Sequence, residues 1–155
     1  MTPKKQIEQF MKGEWTSGGF NRTFGYYAVG WREGAFEIHW RGTDAFTTGQ
    51  IDAIHGGAIA TLLDNAMGWA TTTVLDDDEN FATVDLHVQF LRVAKIGLLK
   101  ANGSVVRRSR SLAFCESIDG TLAEALAAVR HFGVGRLIDI LVGAIGVGIF
   151  VYGET

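Results

Sequence analysis

The chain has 155 residues, of which 47% are hydrophobic and 11% aromatic, a composition that favours one folded domain with a sizeable core and excludes a disordered chain. Its formal net charge of −3 at pH 7 gives no reason to expect a nucleic acid or an anionic membrane surface as a partner. The single cysteine, Cys115, excludes an internal disulfide, and no cluster of cysteines and histidines has metal-ligand spacing, so no metal is expected.

Ile7, Phe10 and Met11 share one side of a helical pattern, which predicts a short helix over residues 4–12. The N-terminal segment is polar and mixed in charge, which does not indicate a signal peptide, so a cytoplasmic protein is expected. Glycines then interrupt the helical pattern. Residues 24–31 and 35–40 have the aromatic, β-branched and alternating character of strands. The residues between them, 32–34, predict a hairpin turn.

The stretch from His55 to Asp64 is the most informative part of the sequence. Apolar residues recur with a period of 3.6 over residues 57–74, which predicts a core helix. Free N–H groups and the helix dipole attract negative charge at a helix start, and the glycines Gly56 and Gly57 let a ligand approach closely, so an oxyanion could bind there. The alternative is that His55 only caps the helix and Asp64 is a surface acid.

Asp64 is the single charge on a helix face of small side chains that runs from Gly57 to Gly68. Such a face lets another backbone come close. At a rise of roughly 1.5 Å per residue, Asp64 lies on the order of 12 Å from Gly56 along the same helix. Asp64 therefore serves either a different site or the helix start of a second copy of the chain.

The second half of the chain predicts mainly strands. The acidic run 76–80 is expected to end the helix as a solvated loop rather than to bind a metal. Strands are predicted over 81–91, over 98–107 with Gly103 as a bulge, over 111–117, and over 121–132 after a hairpin turn. One long helix with about six antiparallel strands is an α+β architecture.

The C-terminal tail, residues 133–155, contains an apolar run that is interrupted only by Asp139. This run is shorter than the ~20 residues that a membrane-spanning helix needs, so no membrane anchor is expected. The tail is an added strand, an oligomer contact or an apolar extension, and the sequence does not select among these.

The run His55-Gly56-Gly57, with Asp64 nine positions after the histidine and Asn65-Ala66-Met67-Gly68 following, resembles the active-site helix of hotdog-fold acyl-CoA thioesterases of the phenylacetate-pathway type. The similarity covers roughly residues 15–132 and includes the stretches 83–86, 90–92, 97, 108–111 and 119–125. It implies a hotdog fold, in which an antiparallel sheet of about five to six strands wraps one central helix. The expected domain spans residues 1–132.

The resemblance implies a catalytic role for each matching residue. The N–H groups of Gly57 and Gly56 would stabilise the oxyanion, and Asp64 of a partner subunit would act as general base or nucleophile. Thr83 would orient the water or Asp64, and His55 would hold the loop or polarise the carbonyl. The family usually has Asn or Gln six residues before the histidine, where this chain has Gly49. Gln50 is the nearest candidate.

The same resemblance implies an acyl-CoA substrate with an aromatic or medium-chain acyl group. Coenzyme A would be part of the substrate, so no separate cofactor is expected. Arg92, Arg108 and Arg110 are the candidates for binding its phosphates, although a solvated strand edge would also explain them. Self-association as a homodimer or homotetramer is expected. The family often has glycine at the position of Asp52. The competing hypothesis is a non-catalytic acyl-CoA or small-ligand binding protein that the changes at Gly49 and Asp52 have left without activity.

Overall fold

The computed structural model describes residues 1–15, 18–49, 52–90, 93–119 and 147–153. Three α-helices, one short 3₁₀ turn and six strands lie within these ranges. In chain order they are α1 (Pro3–Met11), α2 (Gly19–Phe24), β1 (Tyr27–Arg32), β2 (Ala35–Gly42), the 3₁₀ turn (Asp44–Phe46), α3 (Gly56–Thr72), β3 (Glu79–Leu86), β4 (Gly97–Arg108), β5 (Leu112–Asp119) and β6 (Val147–Gly153).

The six described strands form one sheet in the order β1-β2-β4-β5-β6-β3, and every pair of neighbours is antiparallel. Helix α3 packs on one face of this sheet, mainly against β4, β2 and β5. Strand β3 lies at one edge of the sheet and β1 at the other. This α+β arrangement, a long central helix held by an antiparallel sheet, confirms the predicted fold class.

The core lies between α3 and the inner face of the sheet. Alternate residues of β2 point inward, and on α3 the residues of the predicted apolar stripe are buried, as the 3.6-residue period requires. Helix α1 closes one side of this core by stacking Phe10 on Trp69 of α3, with ring centroids 4.3 Å apart. These contacts fix the position of α3, which carries most of the candidate site residues.

Gly103 of β4 does not form the bulge that the sequence predicts. It pairs in regular register with Phe36 of β2 and Ser117 of β5, and the register shift in β4 lies between Val105 and Arg107 instead. A Cβ atom at Gly103 would lie 2.2 Å from the backbone oxygen of Ala66 in α3. The glycine is therefore present because the helix backbone passes directly over this point of the strand.

Some elements differ from the prediction: β1 begins at Tyr27 rather than at residue 24, and β3 begins at Glu79, within the acidic run 76–80 that the sequence predicts as a loop. Residues 19–24 form helix α2, which the glycine-rich sequence did not indicate, and Gly25 ends this helix in the left-handed conformation, with φ of 79°. Strand β3 ends at Leu86 rather than at residue 91. The hairpin turn between β1 and β2 is confirmed.

Part of the C-terminal tail joins the sheet. Strand β6 pairs with β5 on one side and with β3 on the other. The strand predicted over 121–132, and most of the rest of the tail, lie outside the described residues. Within the described ranges, no helix has the length and hydrophobicity needed to cross a membrane.

Candidate functional site

Helix α3 begins with a histidine cap. The Nδ1 atom of His55 accepts a hydrogen bond from the N–H of Gly57 at 2.9 Å, and the His55 carbonyl accepts one from Ala58 at 2.9 Å. The N–H of Gly56 has no hydrogen-bond partner among the described residues. Of the two glycines in the motif, Gly56 therefore presents a free donor, whereas the donor of Gly57 is held by the imidazole.

The two residues that lead into this helix are anchored by backbone hydrogen bonds to two different loops. The N–H of His55 donates to the carbonyl of Phe46 in the 3₁₀ turn, and the N–H of Ile54 donates to the carbonyl of Ala94, both at 2.8 Å. These bonds hold the helix start between two loops. A group bound at the Gly56 N–H would therefore meet a fixed donor, which is what stabilisation of a developing charge requires.

Asp64 is paired with Thr83 of its own chain. The Thr83 hydroxyl donates to Oδ1 of Asp64 at 2.9 Å and so links the middle of α3 to β3. Burial raises the pKa of the Asp64 carboxyl above its ordinary value, and the hydrogen bond from Thr83 offsets part of this rise. The result is a half-buried carboxylate with a raised proton affinity and one fixed oxygen, which suits a general base.

A buried tyrosine next to Asp64 was not indicated by the sequence. Trp69 Nε1 donates to the Tyr26 hydroxyl at 3.1 Å, the hydroxyl bonds to Oδ1 of Asn65 at 2.9 Å, and the Asn65 amide donates to the Thr61 carbonyl at 2.8 Å. Burial, with a smaller contribution from the charge of Asp64, raises the pKa of Tyr26 to about 12. Tyr26 therefore stays neutral, and its hydrogen bonds tie the residue before β1 to this part of α3.

Two of the three arginines predicted to bind phosphates, Arg108 and Arg110, lie within the described residues. Arg108, at the end of β4, forms an ion pair with Glu79 at the start of β3, and Glu79 also accepts a hydrogen bond from the N–H of Asp76 at 2.8 Å. Arg110 is exposed in the turn between β4 and β5. The third arginine, Arg92, and the catalytic candidate Gln50 lie outside the described residues.

Comparisons with known proteins bear on this arrangement. The sequence model of a protein family described as the thioesterase superfamily matches residues 52–117, which include the helix start, Asp64 and Thr83. A Halobacterium salinarum protein that is provisionally named an esterase is 43% identical over 86 residues, which are 54% of this chain and 56% of that protein. The chain thus spans just over half the length of this curated relative.

Solved structures resemble the whole described fold. A thioesterase family protein from Silicibacter pomeroyi superposes with a TM-score of 0.73 over 95% of this chain and 98% of its own, at 17% identity. A Ralstonia eutropha protein, described as phenylacetic acid degradation-related and provisionally as a thioesterase, has a TM-score of 0.68 at 20% identity and covers 94% of this chain and 96% of its own. The fold is that of the thioesterase superfamily, the hotdog fold.

Proposed function

We propose that the protein is an acyl-CoA thioesterase of the phenylacetate-pathway type, which hydrolyses a thioester to a carboxylate and free coenzyme A. The observation that carries this proposal is the Asp64 carboxylate, half-buried and hydrogen-bonded by Thr83, on a helix that begins with the free donor of Gly56. The match to the thioesterase superfamily and the provisional names of the relatives support hydrolysis of this class of bond.

In the proposed reaction the thioester oxygen accepts a hydrogen bond from the N–H of Gly56. The N–H of Gly57 becomes a second donor when His55 turns away from it. Asp64 removes a proton from water, whose oxygen attacks the carbonyl carbon, and the two N–H groups stabilise the resulting oxyanion. The carbon–sulfur bond then breaks, and the thiolate of coenzyme A takes up the proton.

We further propose that each active site is shared by two chains in a homodimer, or in a homotetramer built from two such dimers. Gly56 and Asp64 are eight residues apart on one helix, about 12 Å at ~1.5 Å per residue, too far to act on one carbonyl. Strand β3, which holds Thr83, lies at the edge of the sheet and exposes Val84 by 61% and Leu86 by 38%. An exposed apolar edge strand favours pairing with another chain.

Coenzyme A reaches the site as part of the substrate in this proposal, and cytoplasmic acyl-CoA pools supply it. Arg110 is exposed and forms no ion pair with the described residues, so it could bind the phosphates of coenzyme A without giving up such a partner. Arg108 would have to exchange its ion pair with Glu79 for a phosphate. Arg92 remains a candidate from the sequence.

The proposal is tested by replacing the base. Asp64→Asn keeps the size of the side chain and an oxygen for Thr83, so acyl-CoA binding should persist, while kcat falls by about two orders of magnitude or more, the scale typical of a lost general base. Asp78→Asn, at an exposed acid in the loop after α3, is the matched control and should keep normal turnover. Equal turnover of Asp64→Asn and the wild type would refute the mechanism. Binding without hydrolysis by the wild type would favour the non-catalytic binding protein.

Mixed dimers test the shared site. Asp64→Ala removes the base and Gly57→Val blocks the oxyanion position, where a Cβ would already lie 3.0 Å from the His55 ring. After subunit exchange, half of the dimers contain both variants, and each of these has one intact site of two, so roughly a quarter of wild-type activity should return by symmetry. Proven mixed dimers without recovered activity would exclude a shared site.

A further inference from the structure

Phe90 places an exposed aromatic ring against the start of α3. Its side chain is 57% exposed, yet three atoms of the ring lie close to Gly56: Cζ would be 3.0 Å, and Cε1 and Cε2 3.3 Å, from a Cβ atom at that glycine. The tip of the ring therefore rests directly on the glycine whose N–H has no partner among the described residues. The ring is thus next to the residue that would bind the carbonyl group in the proposed reaction.

Ala94 and Lys95, a few positions after Phe90, are bonded to the residues that lead into α3. Residues Ala53 and Lys95 form an isolated β-bridge, and Ala94 accepts the hydrogen bond from Ile54. Both contacts tie this segment to the residues that lead into α3. The backbone that carries the N–H of Gly56 is thus fixed by the residues of this loop, next to which the ring lies.

Two other exposed phenylalanines among the described residues, Phe114 and Phe20, lie elsewhere. Phe114 is 47% exposed on β5, between the buried residues Ala113 and Cys115, so its ring points away from α3 on the outer face of the sheet. Phe20 is 60% exposed and stacks on Phe24 of the same helix. Neither contacts the helix start, and Phe114 provides a matched control for exposure of an aromatic ring.

We propose that Phe90 is a specificity-determining residue that contacts the acyl group of the thioester, a proposal that rests on the proposed function. The carbonyl carbon of the thioester carries two substituents. One is the apolar chain or ring of the acyl group, and the other is the sulfur of the long polar arm of coenzyme A. An apolar ring gains by contact with the first, because this contact removes apolar surface from water. Phe90 then selects extended apolar or aromatic acyl groups over acetyl.

The test is kcat/KM for acetyl-, hexanoyl- and phenylacetyl-CoA in the wild type, Phe90→Ala, Phe90→Leu and the control Phe114→Ala. Phe90→Ala should lower kcat/KM about tenfold or more for hexanoyl and phenylacetyl substrates relative to acetyl-CoA, within the range of discrimination that apolar pockets supply. Phe90→Leu should restore most of the preference for hexanoyl but less of that for phenylacetyl. Phe114→Ala should match the wild type.

The outcomes separate this proposal from the function on which it rests. Equal losses on all three substrates in Phe90→Ala would overturn the specificity role, because they would mean that the ring only supports Gly56. If the wild type hydrolyses none of the substrates, the proposed function fails, and the affinities of the wild type and Phe90→Ala for the same acyl-CoA molecules then test the role of Phe90. A loss of affinity in Phe90→Ala that grows with the size of the acyl group supports the contact. A uniform loss of affinity, or no binding by the wild type, overturns it. Phe90→Leu keeps an apolar side chain over Gly56 and provides the same comparison if Phe90→Ala does not fold.

Discussion

Gly103→Ala is the substitution that most directly tests how α3 is held over the sheet. Gly103 is buried in the middle of β4, beneath the helix. The added methyl carbon would lie 2.2 Å from the oxygen of Ala66, 2.4 Å from its carbonyl carbon and 2.7 Å from the nitrogen of Met67. All three are backbone atoms, so no change of side-chain rotamer relieves the contact.

The size of the effect follows from these distances. Ordinary contact begins at 3.4 Å, so the helix and strand have to separate by 1.2 Å at this point, the difference between 3.4 and 2.2 Å. A shift of this size disturbs the buried face of α3, and overpacking of a core costs typically 1–3 kcal/mol. We expect the upper end, about 3 kcal/mol, which corresponds to a melting temperature lower by about 6–12 °C in a domain of this size.

Thermal and urea unfolding of the purified variants provide the measurement. Gly30→Ala in β1 is the matched control, because a Cβ atom there has no neighbour within 4 Å and the backbone is not left-handed. Since α3 carries both Gly56 and Asp64, kcat should fall along with stability in Gly103→Ala. A melting temperature of Gly103→Ala within about 1 °C of the control, less than the effect of 1 kcal/mol, would refute the close approach of helix and strand.

Two further predictions concern charged groups. Burial raises the pKa of Asp64 above its ordinary value of 3.8, so the folded chain binds this proton more tightly than the unfolded chain. The free energy of unfolding therefore falls as pH rises from 3.8 through the pKa of the folded state. Asp64→Asn should therefore melt at a higher temperature than the wild type at pH 7, with the difference vanishing below pH 3.8; a lower melting temperature at pH 7 would contradict this sign. Arg110→Ala should raise KM for acyl-CoA and weaken its salt dependence, but leave an acyl-pantetheine without those phosphates unaffected, whereas Arg108→Ala should mainly lower the melting temperature because it leaves Glu79 without its partner. Equal losses of Arg110→Ala on both substrates would make that arginine structural.

The sequence predicts α3 and most strands because their periodicity is local. The helix predicted over 57–74 spans Gly56–Thr72, and its acid, Asp64, accepts a hydrogen bond from Thr83 of β3. Helix α2 was not predicted because six residues flanked by glycines carry too little periodic signal. The prediction of a bulge at Gly103 is wrong because a glycine within a strand indicates either a bulge or a close approach of another backbone. The position of α3, which the local sequence does not give, shows that Gly103 is the second case.

Contacts between distant segments could not be predicted in this way. Tyr26 lies 39 positions before Asn65 and 43 before Trp69, yet these three side chains share one hydrogen-bond chain. Nothing in their local sequence indicates this pairing. The ring of Phe90 on Gly56 has the same origin, since it depends on where the segment after β3 meets the helix start.

The face of small residues on α3, which runs from Gly57 to Gly68, is covered at one end and exposed toward the other. At Gly68 it is covered by the chain itself, since the ring of Phe81 lies 3.0 Å from the position of a Cβ atom. Toward the helix start Gly57 is exposed and Asp64 half-buried, so in the described part of the chain this half leaves room for a second chain. Thr83 brings the free edge of β3 to the same half. A partner that pairs there would meet the helix start and the carboxylate together, which is the geometry that a shared active site requires.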